Sequence, residues 1–267
     1  MIGAVPIAME RRAYTGGAAE KVSRSVPLEV PIAIETNGIA YAVMMATPLD
    51  VADFVTGFLL SEGIATASEI GLIDCHETGG AEWGTGLIAR VNLPPHRLEP
   101  IMDRARRRLG DSSCGICGIE SVEAALRPLP KLTRATLATP AAIGRAVAAL
   151  NEHQPLGRET AATHAAAFCA EDGTVLHVRE DVGRHNALDK LIGALALAGL
   201  NCSEGFIVMT SRCSYELVEK AVRAGTTLLV TISAPTDLAV RRAAAAGLAL
   251  AVVARDDNML WVTDNGL

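Results

Sequence analysis

The last third of the chain alternates short apolar runs with amphipathic runs, and this alternation restricts the possible folds more than any other feature. GFIVMTS, TLLVTIS and LALAVVA have the composition of buried strands, whereas YELVEKAVRAG and DLAVRRAAAAG, which lie between them, are typical of helices. A β-α-β-α-β order with such short connections predicts a parallel sheet covered by helices. We therefore predict an α/β fold.

Patterns nearer the N-terminus predict a smaller α+β subdomain over residues 26–110, followed by an α/β domain over residues 111–267. LEVPIAI and IAYAVMMA flank Asn37-Gly38, which favours a type I′ hairpin because such turns need positive φ. TPLDVADFVTGFLLSEG predicts a helix that is capped by Thr47 and ended by Gly63. Residues 1–25 show no periodicity, and we expect them to form a loose arm.

The middle of the chain supplies further elements of the α/β domain. Thr139-Pro140 predicts the start of a helix that runs to about Asn151. THAAAFCA and GTVLHVRED predict two strands joined at Asp172-Gly173, and HNALDKLIGALALAG predicts a long helix after them.

Composition argues against several classes of function. Half of the 267 residues are hydrophobic, but aromatic residues make up only 3% and the net charge is −6, so a nucleic-acid binder is not expected. No apolar run approaches the roughly 18 residues of a membrane span. The first residues place their charges after the apolar stretch, the reverse of a signal peptide. We expect a cytoplasmic protein, in which cysteines seldom form structural disulfides.

Two strand-to-helix junctions could bind a ligand, because open α/β sheets bind ligands beyond the carboxyl ends of their strands. TSRCSYE (210–216) and TISAPTD (231–237) each offer hydroxyl groups and a helix N-terminus, where free N–H groups and the helix dipole favour anions. Arg212 is suited to a bidentate phosphate contact. The alternative is ordinary capping of the two helices by Ser214 and Thr236.

REDVGRHNALDK (179–190) places many polar groups directly before a very apolar helix. Asp181 or Asn186 could cap that helix, whereas Arg184 and His185 could face a ligand or an acid. His164 lies in an otherwise apolar strand, where a histidine is more often a hydrogen-bonded core residue than a ligand.

Cys114 and Cys117 are the only closely spaced cysteines, in DSSCGICGIES, and three hypotheses fit the pair. Zinc binding is suggested by the upstream Cys75-His76-Glu77, which mimics a deaminase signature, although Ser113 replaces its proline and the CHE segment is expected in a polar loop. A dithiol oxidoreductase would place its CxxC at a helix start after a strand. A sulfur relay would hold a persulfide on one thiolate and release it with help from the second thiol.

Several segments together resemble the formate dehydrogenase accessory sulfurtransferases, the FdhD family. The resemblance covers roughly residues 26–263 and is carried, in this order, by SSCGICG, THAAAF, REDVGRHNALDKLIG, TSRCSYELVEKAVRAG and TISAPTDLAVRRA. It implies a cytidine-deaminase-like three-layer sandwich without deaminase chemistry, and a homodimer.

The resemblance also implies a reaction. A sulfurtransferase of this family takes persulfide sulfur from a cysteine desulfurase and delivers it to the molybdenum (or tungsten) bis-guanine-dinucleotide cofactor that formate dehydrogenase requires. Cys114 is then the expected persulfide carrier and Cys117 its partner, with no resident metal. The alternative is a non-catalytic escort that only binds the cofactor for the same client.

The family's cofactor is expected near the segment that follows the last core strand, where Asp256 and Asn258 depart from glycine- or arginine-containing versions of the pattern. The candidate cofactor-binding residues are Val253, Ala254, Arg255, Asp256, Asp257 and Asn258, together with Ser211, Arg212, Ser233, His164, Arg184 and His185.

Overall fold

The first six strands form two separate sheets in the computed structural model, which describes residues 3–80, 84–99, 101–102, 128–255 and 257–262. One sheet is an antiparallel hairpin of β1 (Ala4–Arg11) and β2 (Glu20–Pro27). The other has the spatial order β4-β3-β6-β5 and contains β3 (Val30–Thr36), β4 (Ile39–Ala46), β5 (Ile73–Gly80) and β6 (Gly84–Val91).

The hairpin of β1 and β2 replaces the loose arm that we predicted for residues 1–25. Its strands pair in register from Ala4 opposite Pro27 to Arg11 opposite Glu20. Most of its side chains are exposed on both faces. Because neither face is buried in a core, the sequence lacks the strict alternation that would have revealed the strands.

The turn predicted at Asn37-Gly38 is confirmed, since these residues join β3 to β4 with φ angles of 52° and 78°. Both positive φ angles are those that a type I′ turn requires.

Helix α1 (Val51–Ser61) covers one face of the four-stranded sheet and ends before Gly63, as predicted. The predicted cap was wrong, because the N-cap is Asp50. Thr47 contributes elsewhere, since its N–H donates to Asp181 Oδ2 at 2.9 Å and its hydroxyl accepts the Val182 N–H at 3.3 Å.

A six-stranded sheet, in the order β12-β11-β10-β9-β7-β8, forms the centre of the second half. The strands β9, β10 and β11 are parallel, as the β-α-β-α-β pattern predicted, and β7 runs antiparallel to β9. The strands are β7 (His164–Ala170), β8 (Val175–Asp181), β9 (Gly205–Met209), β10 (Leu228–Thr231), β11 (Ala249–Arg255) and β12 (Asn258–Trp261).

Helices cover both faces of this sheet, so the α/β fold class is confirmed. One core lies between the sheet and three helices, and a second core lies between the opposite face and α2. The helices are α2 (Pro140–Leu150), α3 (Pro155–Thr160), α4 (Arg184–Leu197), α5 (Tyr215–Ala224) and α6 (Asp237–Ala246), of which α4, α5 and α6 share one face. Among the described residues, no helix has the length and apolar character needed to cross a membrane.

Helix α1 packs directly on α4 and thereby joins the four-stranded sheet to the larger half. A Cβ atom added to Gly57 would lie 1.7 Å from the Asp189 carbonyl oxygen, and one added to Gly193 would lie 1.9 Å from the Asp53 carbonyl oxygen. The two backbones therefore touch where the helices cross, which only glycine permits. The subdomain boundary that we predicted near residue 110 lies outside the described residues.

Candidate functional site

The predicted binding residues that the structure describes converge at one edge of the six-stranded sheet. The parallel strands β9, β10 and β11 end at this edge, and the antiparallel strand β7 begins there. His164 lies opposite Asp181 at the end of β8, and the Ala165 N–H donates to Thr210 Oγ1 at 2.8 Å. The start of β7 therefore lies beside the loop that carries Ser211 and Arg212.

Backbone hydrogen bonds join the three loops that follow these parallel strands. The Cys213 N–H donates to the Ala234 carbonyl at 3.2 Å, and the Thr236 N–H donates back to the Cys213 carbonyl at 3.0 Å. The Val253 N–H donates to the Ser233 carbonyl at 3.4 Å. Since each loop is bonded to the next, the edge forms one connected surface.

The side chains of the first two loops differ in how far they are exposed to solvent. Ser211 is buried, and its hydroxyl donates to the Arg212 carbonyl at 3.1 Å, whereas the Arg212 side chain is exposed. Ser233 is half-buried, and its carbonyl also accepts the Thr231 hydroxyl at 2.8 Å. Arg212 is thus the group of these loops that is best placed to meet a ligand from solvent.

The end of β11 contains a bulge, because the β11–β12 register shifts between Val252 and Arg255. Val253 lies in this bulge with φ of 53°, a conformation that costs a β-branched residue about 1–3 kcal/mol. The bulge turns the chain toward the β10 loop, and Arg255 Nε donates to the Ile232 carbonyl at 3.2 Å. The strain is therefore concentrated where the family's cofactor is expected.

The remaining candidates of this segment have different settings. The Ala254 side chain is 2% exposed and belongs to the core beneath α2, so only its backbone is available to a ligand. Asp257 and Asn258 are exposed, and Asn258 Nδ2 donates to Asp257 Oδ1 at 2.9 Å. Asp256 lies outside the described residues.

Most polar residues of the segment 179–190 bind other protein groups rather than facing the edge. Asp181 and Lys190 are fully buried and form an ion pair of 2.8 Å between Oδ2 and Nζ. Asp181 Oδ1 also accepts hydrogen bonds from the Gly183 N–H at 2.8 Å and from the Asn186 side-chain amide at 3.0 Å. Lys190 Nζ donates to the Thr47 carbonyl at 2.9 Å. These bonds connect β8 and α4 to the chain just before α1.

A second buried network connects α4 to α1 and α5. Asp189 accepts hydrogen bonds from the Ser61 hydroxyl at 2.6 Å and from Lys220 Nζ at 2.9 Å, and Lys220 also pairs with Glu62 at 3.1 Å. Burial disfavours the charge on Lys220, but Asp189 and Glu62 outweigh it and raise the pKa of this lysine above its ordinary value. Lys220 is therefore a charged structural residue of the interior.

Glu180 and Arg179 are also occupied within the protein. The Glu180 carboxylate accepts the N–H groups of Leu156 and Gly157 at 2.9 and 2.7 Å, where helix α3 begins. Arg179 Nε donates to Asp53 Oδ2 at 2.7 Å. These three bonds cannot be predicted from local sequence patterns, because each joins residues more than 20 positions apart along the chain.

Arg184 and His185 are the charged or titratable members of this segment that remain directed to the edge. Arg184 Nε, His185 Nε2 and Ser214 Oγ are buried polar atoms that lack a hydrogen-bond partner among the described residues. His185 Nε2 lies 4.0 Å from Glu216 Oε2, beyond hydrogen-bond distance. Unpaired buried polar atoms are rare in native proteins and point to a bound group.

The first turns of α4 and α5 lie among these same atoms. Neither the N-cap Gly183 of α4 nor the N-cap Ser214 of α5 provides a side-chain cap, so the predicted capping by Ser214 was wrong. The predicted cap by Thr236 is confirmed, because its hydroxyl accepts the Ala239 N–H at the start of α6 at 3.3 Å. Two uncapped helix N-termini beside an arginine favour an oxyanion such as phosphate.

The histidines at this edge are held in their neutral form. Burial, supported by the charges of Arg184 and Lys220, lowers the pKa of His185 to about 3. Burial and Arg184 also lower the pKa of His164. A neutral imidazole can both donate and accept a hydrogen bond, so it adds polarity to the site without adding charge.

The candidate catalytic residues Cys114 and Cys117 lie outside the described residues. Burial raises the pKa of the other interior thiols, to about 12 for Cys169, about 11 for Cys202 and about 12 for Cys213. These three thiols are therefore almost entirely un-ionised near neutral pH, and the thiolate is the reactive form.

The Cys75-His76-Glu77 segment lies on β5 rather than in the polar loop that we expected. Cys75 is exposed, and His76 Nε2 pairs with Asp74 Oδ2 at 2.7 Å. The segment belongs to the four-stranded sheet, whereas the candidate site belongs to the six-stranded sheet. In the described part of the chain, no group of three His, Cys, Asp or Glu residues is placed to hold a metal ion.

Comparison with known proteins identifies close relatives. The model of the FdhD/NarQ family matches residues 27–266. A sulfur carrier protein FdhD from Xanthomonas campestris pv. campestris is 46% identical over 245 residues, which are 92% of this chain and 86% of the relative. A protein of the same name from Variovorax paradoxus is 44% identical over 89% of this chain and 84% of its own length.

A solved structure shows the same fold. A protein from Desulfotalea psychrophila, described as a formate dehydrogenase accessory protein, superimposes with a TM-score of 0.73. The match covers 97% of this chain and 96% of that chain at 21% sequence identity.

Proposed function

We propose, since this chain belongs to the FdhD/NarQ family, that it is a sulfur carrier acting in formate dehydrogenase maturation. The observation that carries this proposal is the 46% identity, over 92% of the chain, to a protein named as a sulfur carrier. In finer detail, a cysteine desulfurase supplies the sulfur to Cys114. The acceptor is the molybdenum (or tungsten) bis-guanine-dinucleotide cofactor, bound as cargo.

The loading step transfers one sulfane sulfur between two cysteines. The Cys114 thiolate attacks the terminal sulfur of the desulfurase persulfide, so that a new S–S bond forms as the donor's S–S bond breaks. The desulfurase leaves as a thiolate, and Cys114 then carries the persulfide. The raised pKa values of Cys169, Cys202 and Cys213 support a carrier outside this buried set.

The delivery step must release sulfur at the oxidation level of sulfide. Attack of the Cys117 thiolate on the inner sulfur of the Cys114 persulfide forms a Cys114–Cys117 disulfide and expels hydrosulfide, which the cofactor metal binds. The two electrons gained by the transferred sulfur come from the oxidation of the two thiols. Two equivalents of a cellular thiol then reduce the disulfide before the next cycle and are themselves joined in a disulfide.

The edge of the six-stranded sheet supplies a matching site for the dinucleotide part of the cargo. Arg184 and the uncapped starts of α4 and α5 favour its phosphates, and the exposed Arg212 lies on the neighbouring loop. In this proposal the residues of the edge hold and orient the cargo, and the two cysteines carry its sulfur.

The loading step can be tested by intact mass spectrometry. Purified, reduced protein is incubated with a cysteine desulfurase and cysteine, and its mass is measured before and after reductant. We expect a gain of sulfur that reductant removes and that is absent from Cys114→Ala. Cys75→Ala is the matched control, because Cys75 is an exposed thiol on the other sheet, and it should load normally.

Two outcomes would contradict the carrier assignment. Sulfur on Cys114→Ala equal to that on the unaltered chain would place the carrier elsewhere. No sulfur on any form, together with full formate dehydrogenase maturation by Cys114→Ala in cells that lack their own copy, would favour the escort that only binds the cofactor.

A further inference from the structure

Glu216 is a largely buried acidic residue at the ligand edge, where it lies in the first turn of α5. Its side chain is 20% exposed, and its Oε2 atom lies 4.0 Å from His185 Nε2, which is beyond hydrogen-bond distance. Among the described residues, no lysine or arginine lies within 4.0 Å of this carboxylate, and no group donates a hydrogen bond to it. A carboxylate only accepts hydrogen bonds, so Glu216 lacks the donors that an enclosed carboxylate requires.

The same two helices form a bonded pair one turn further into the interior. Asp189 follows His185 by four positions on α4, and Lys220 follows Glu216 by four positions on α5. Residues four apart share a helix face, so the two pairs lie in successive layers between the helices. Asp189 Oδ2 accepts a hydrogen bond from Lys220 Nζ at 2.9 Å. The helices therefore approach closely enough for side chains to bond, but the outer layer leaves its carboxylate unpaired.

The neighbouring imidazole does not neutralise Glu216. Burial, supported by the charges of Arg184 and Lys220, lowers the pKa of His185 to about 3, so the ring is uncharged near neutral pH. The 4.0 Å distance also rules out a hydrogen bond between the two side chains. Since the protein offsets the partial burial of this carboxylate neither by charge nor by a hydrogen bond, a ligand that brings N–H donors would be favoured there.

Electrostatic repulsion excludes a phosphate as the group that contacts Glu216, although the nearby Arg184 and Arg212 favour phosphates. A nucleotide carries both kinds of group, because its phosphates can meet the arginines while its base meets the carboxylate. Guanine presents a ring N–H and an amino group side by side, which match the two oxygens of a carboxylate. Adenine and cytosine place a ring-nitrogen acceptor beside the amino group, and uracil places its N–H between two carbonyls. Those three bases would turn an acceptor toward the carboxylate.

We infer that Glu216 is a specificity-determining residue that reads the 2-amino-4-oxopyrimidine ring of the cargo by accepting its two adjacent N–H groups. This ring occurs in guanine and also in the pterin of the same cofactor, so two parts of the cargo share the recognised chemistry. The inference rests on the proposed function for the identity of the cargo, but it requires neither Cys114 nor sulfur.

Asp257 is the competing carboxylate at this edge. It is exposed, and its Oδ1 atom already accepts a hydrogen bond from the Asn258 side-chain amide at 2.9 Å. Water can supply its remaining donors, so Asp257 has less need of a ligand than the enclosed Glu216.

Calorimetric titration of the full-length chain with GDP, IDP and XDP tests the base preference. IDP lacks the 2-amino group, and XDP carries an oxygen in its place. The unaltered chain should bind GDP about 10- to 100-fold more tightly than IDP, because IDP loses a hydrogen bond to a charged acceptor. Glu216→Gln should lose most of this preference and should bind XDP more tightly than GDP, since its amide can donate to the oxygen of XDP.

The controls separate base reading from a general loss of structure. Glu216→Gln should keep the thermal midpoint of the parent, because this carboxylate accepts no hydrogen bond from the described residues. Asp237→Asn is the matched control, since Asp237 lies in the first turn of the neighbouring α6 and its carboxylate pairs with Arg241. It should keep the preference for GDP. A preference that Asp257→Asn abolishes and Glu216→Gln retains would overturn the inference.

Pterin and lumazine distinguish the two parts of the cargo, because lumazine carries an oxygen in place of the 2-amino group of pterin. A Glu216-dependent preference for pterin over lumazine, with GDP and IDP bound equally, would identify the pterin as the ring that Glu216 reads. Equal affinities within both pairs in the unaltered chain, or preferences that Glu216→Gln leaves unchanged, would overturn the inference.

Failure of this inference can be told apart from failure of the proposed function. Absence of binding by both GDP and pterin would overturn the inference together with the cargo site. Failure of Cys114 to accept sulfur would contradict the carrier assignment alone and would leave the preference for GDP over IDP intact.

Discussion

Arg184 and Lys190 lie on the same helix, α4, but their surroundings differ completely. Lys190 is fully buried and bonded to Asp181 Oδ2 at 2.8 Å and to the Thr47 carbonyl at 2.9 Å. Arg184 lies in the first turn, and its Nε has no hydrogen-bond partner among the described residues. The difference shows that one polar segment serves two purposes: its buried members hold the two halves of the molecule together, and its edge members remain available to a ligand.

The largest effect should come from breaking the buried pair. Lys190→Met leaves the Asp181 carboxylate without its cation in the interior, so we expect the free energy of unfolding to fall by about 3–5 kcal/mol. Urea denaturation followed by circular dichroism measures the change. Arg90→Met, which removes the surface pair with Glu35, is the control and should leave the urea midpoint almost unchanged. An equal loss of unfolding free energy in Lys190→Met and Arg90→Met would mean that the buried ion pair contributes no more to stability than the surface pair.

Loss of the ligand-facing Arg184 should instead weaken ligand binding and leave the stability of the protein unchanged. Arg184→Ala should weaken the binding of GDP, a probe for the guanine-nucleotide end of the cargo, by about 10- to 100-fold, because a charge-assisted hydrogen bond is lost. The urea midpoint should stay that of the parent. Calorimetric titration measures the affinity.

Arg134→Ala is the matched control for that experiment. Arg134 pairs with Glu171 at 3.2 Å, beside the β7–β8 turn at the opposite edge of the sheet, so its loss should not alter GDP binding. Unaltered affinity in Arg184→Ala would argue against a phosphate contact at the start of α4.

The dependence of stability on pH tests the other ligand-facing residue of the segment, His185. The pKa of His185 is lowered from 6.5 to about 3 in the folded protein, so the folded state binds fewer protons than the unfolded state between these values. Stability contributed by the neutral ring is therefore complete above pH 6.5 and is lost as the pH falls. Between pH 6.5 and about pH 5 this loss amounts to about 2 kcal/mol.

His185→Gln should remove that part of the acid dependence, so that its stability declines less over the same range. Urea midpoints at several pH values measure the slope. His76→Gln, on the exposed strand β5, should keep the slope of the parent. A parental slope in His185→Gln would mean that folding does not lower the pKa of His185.

The smallest effect compares the two helix starts. Thr236→Ala removes a hydroxyl that caps α6, so we expect a loss of about 1 kcal/mol in unfolding free energy. Ser214→Ala removes a hydroxyl that makes no cap, so its stability should be unchanged or slightly higher. Paired thermal melts decide this, and a larger loss in Ser214→Ala would show that Ser214 caps α5 in solution.

Local sequence patterns predicted most of the helices, strands and turns, but they did not predict which partners the polar residues contact. The helix at Thr139-Pro140 and the turn at Asn37-Gly38 were predicted because their signals lie within a few residues. Thr47 looked like a helix cap for the same reason, yet its N–H donates to Asp181, which lies 134 positions away. No local signal distinguishes these two roles.

The candidate site shows the same division. The rule that ligands bind at the carboxyl ends of parallel strands places Ser211, Arg212 and Ser233 at one edge from the sequence alone. Within the segment 179–190, the sequence set Arg184 and His185 apart as possible ligand contacts, but it indicated no role for Asp189 or Lys190. The roles of those two residues depend on partners that lie on α1, on α5 and in the chain just before α1, and these partners are remote in sequence.

The sequence by itself determined the strand and helix pattern of the larger half, the position of the predicted ligand edge and the family of the chain. These follow from short-range periodicity and from motifs that can be read along the chain. Tertiary structure alone decided which charges are buried and paired, which helix starts stay uncapped, and that the N-terminal residues form a hairpin. Each of these outcomes depends on contacts between distant segments, because a polar group's role is fixed by the partner it meets in the folded chain.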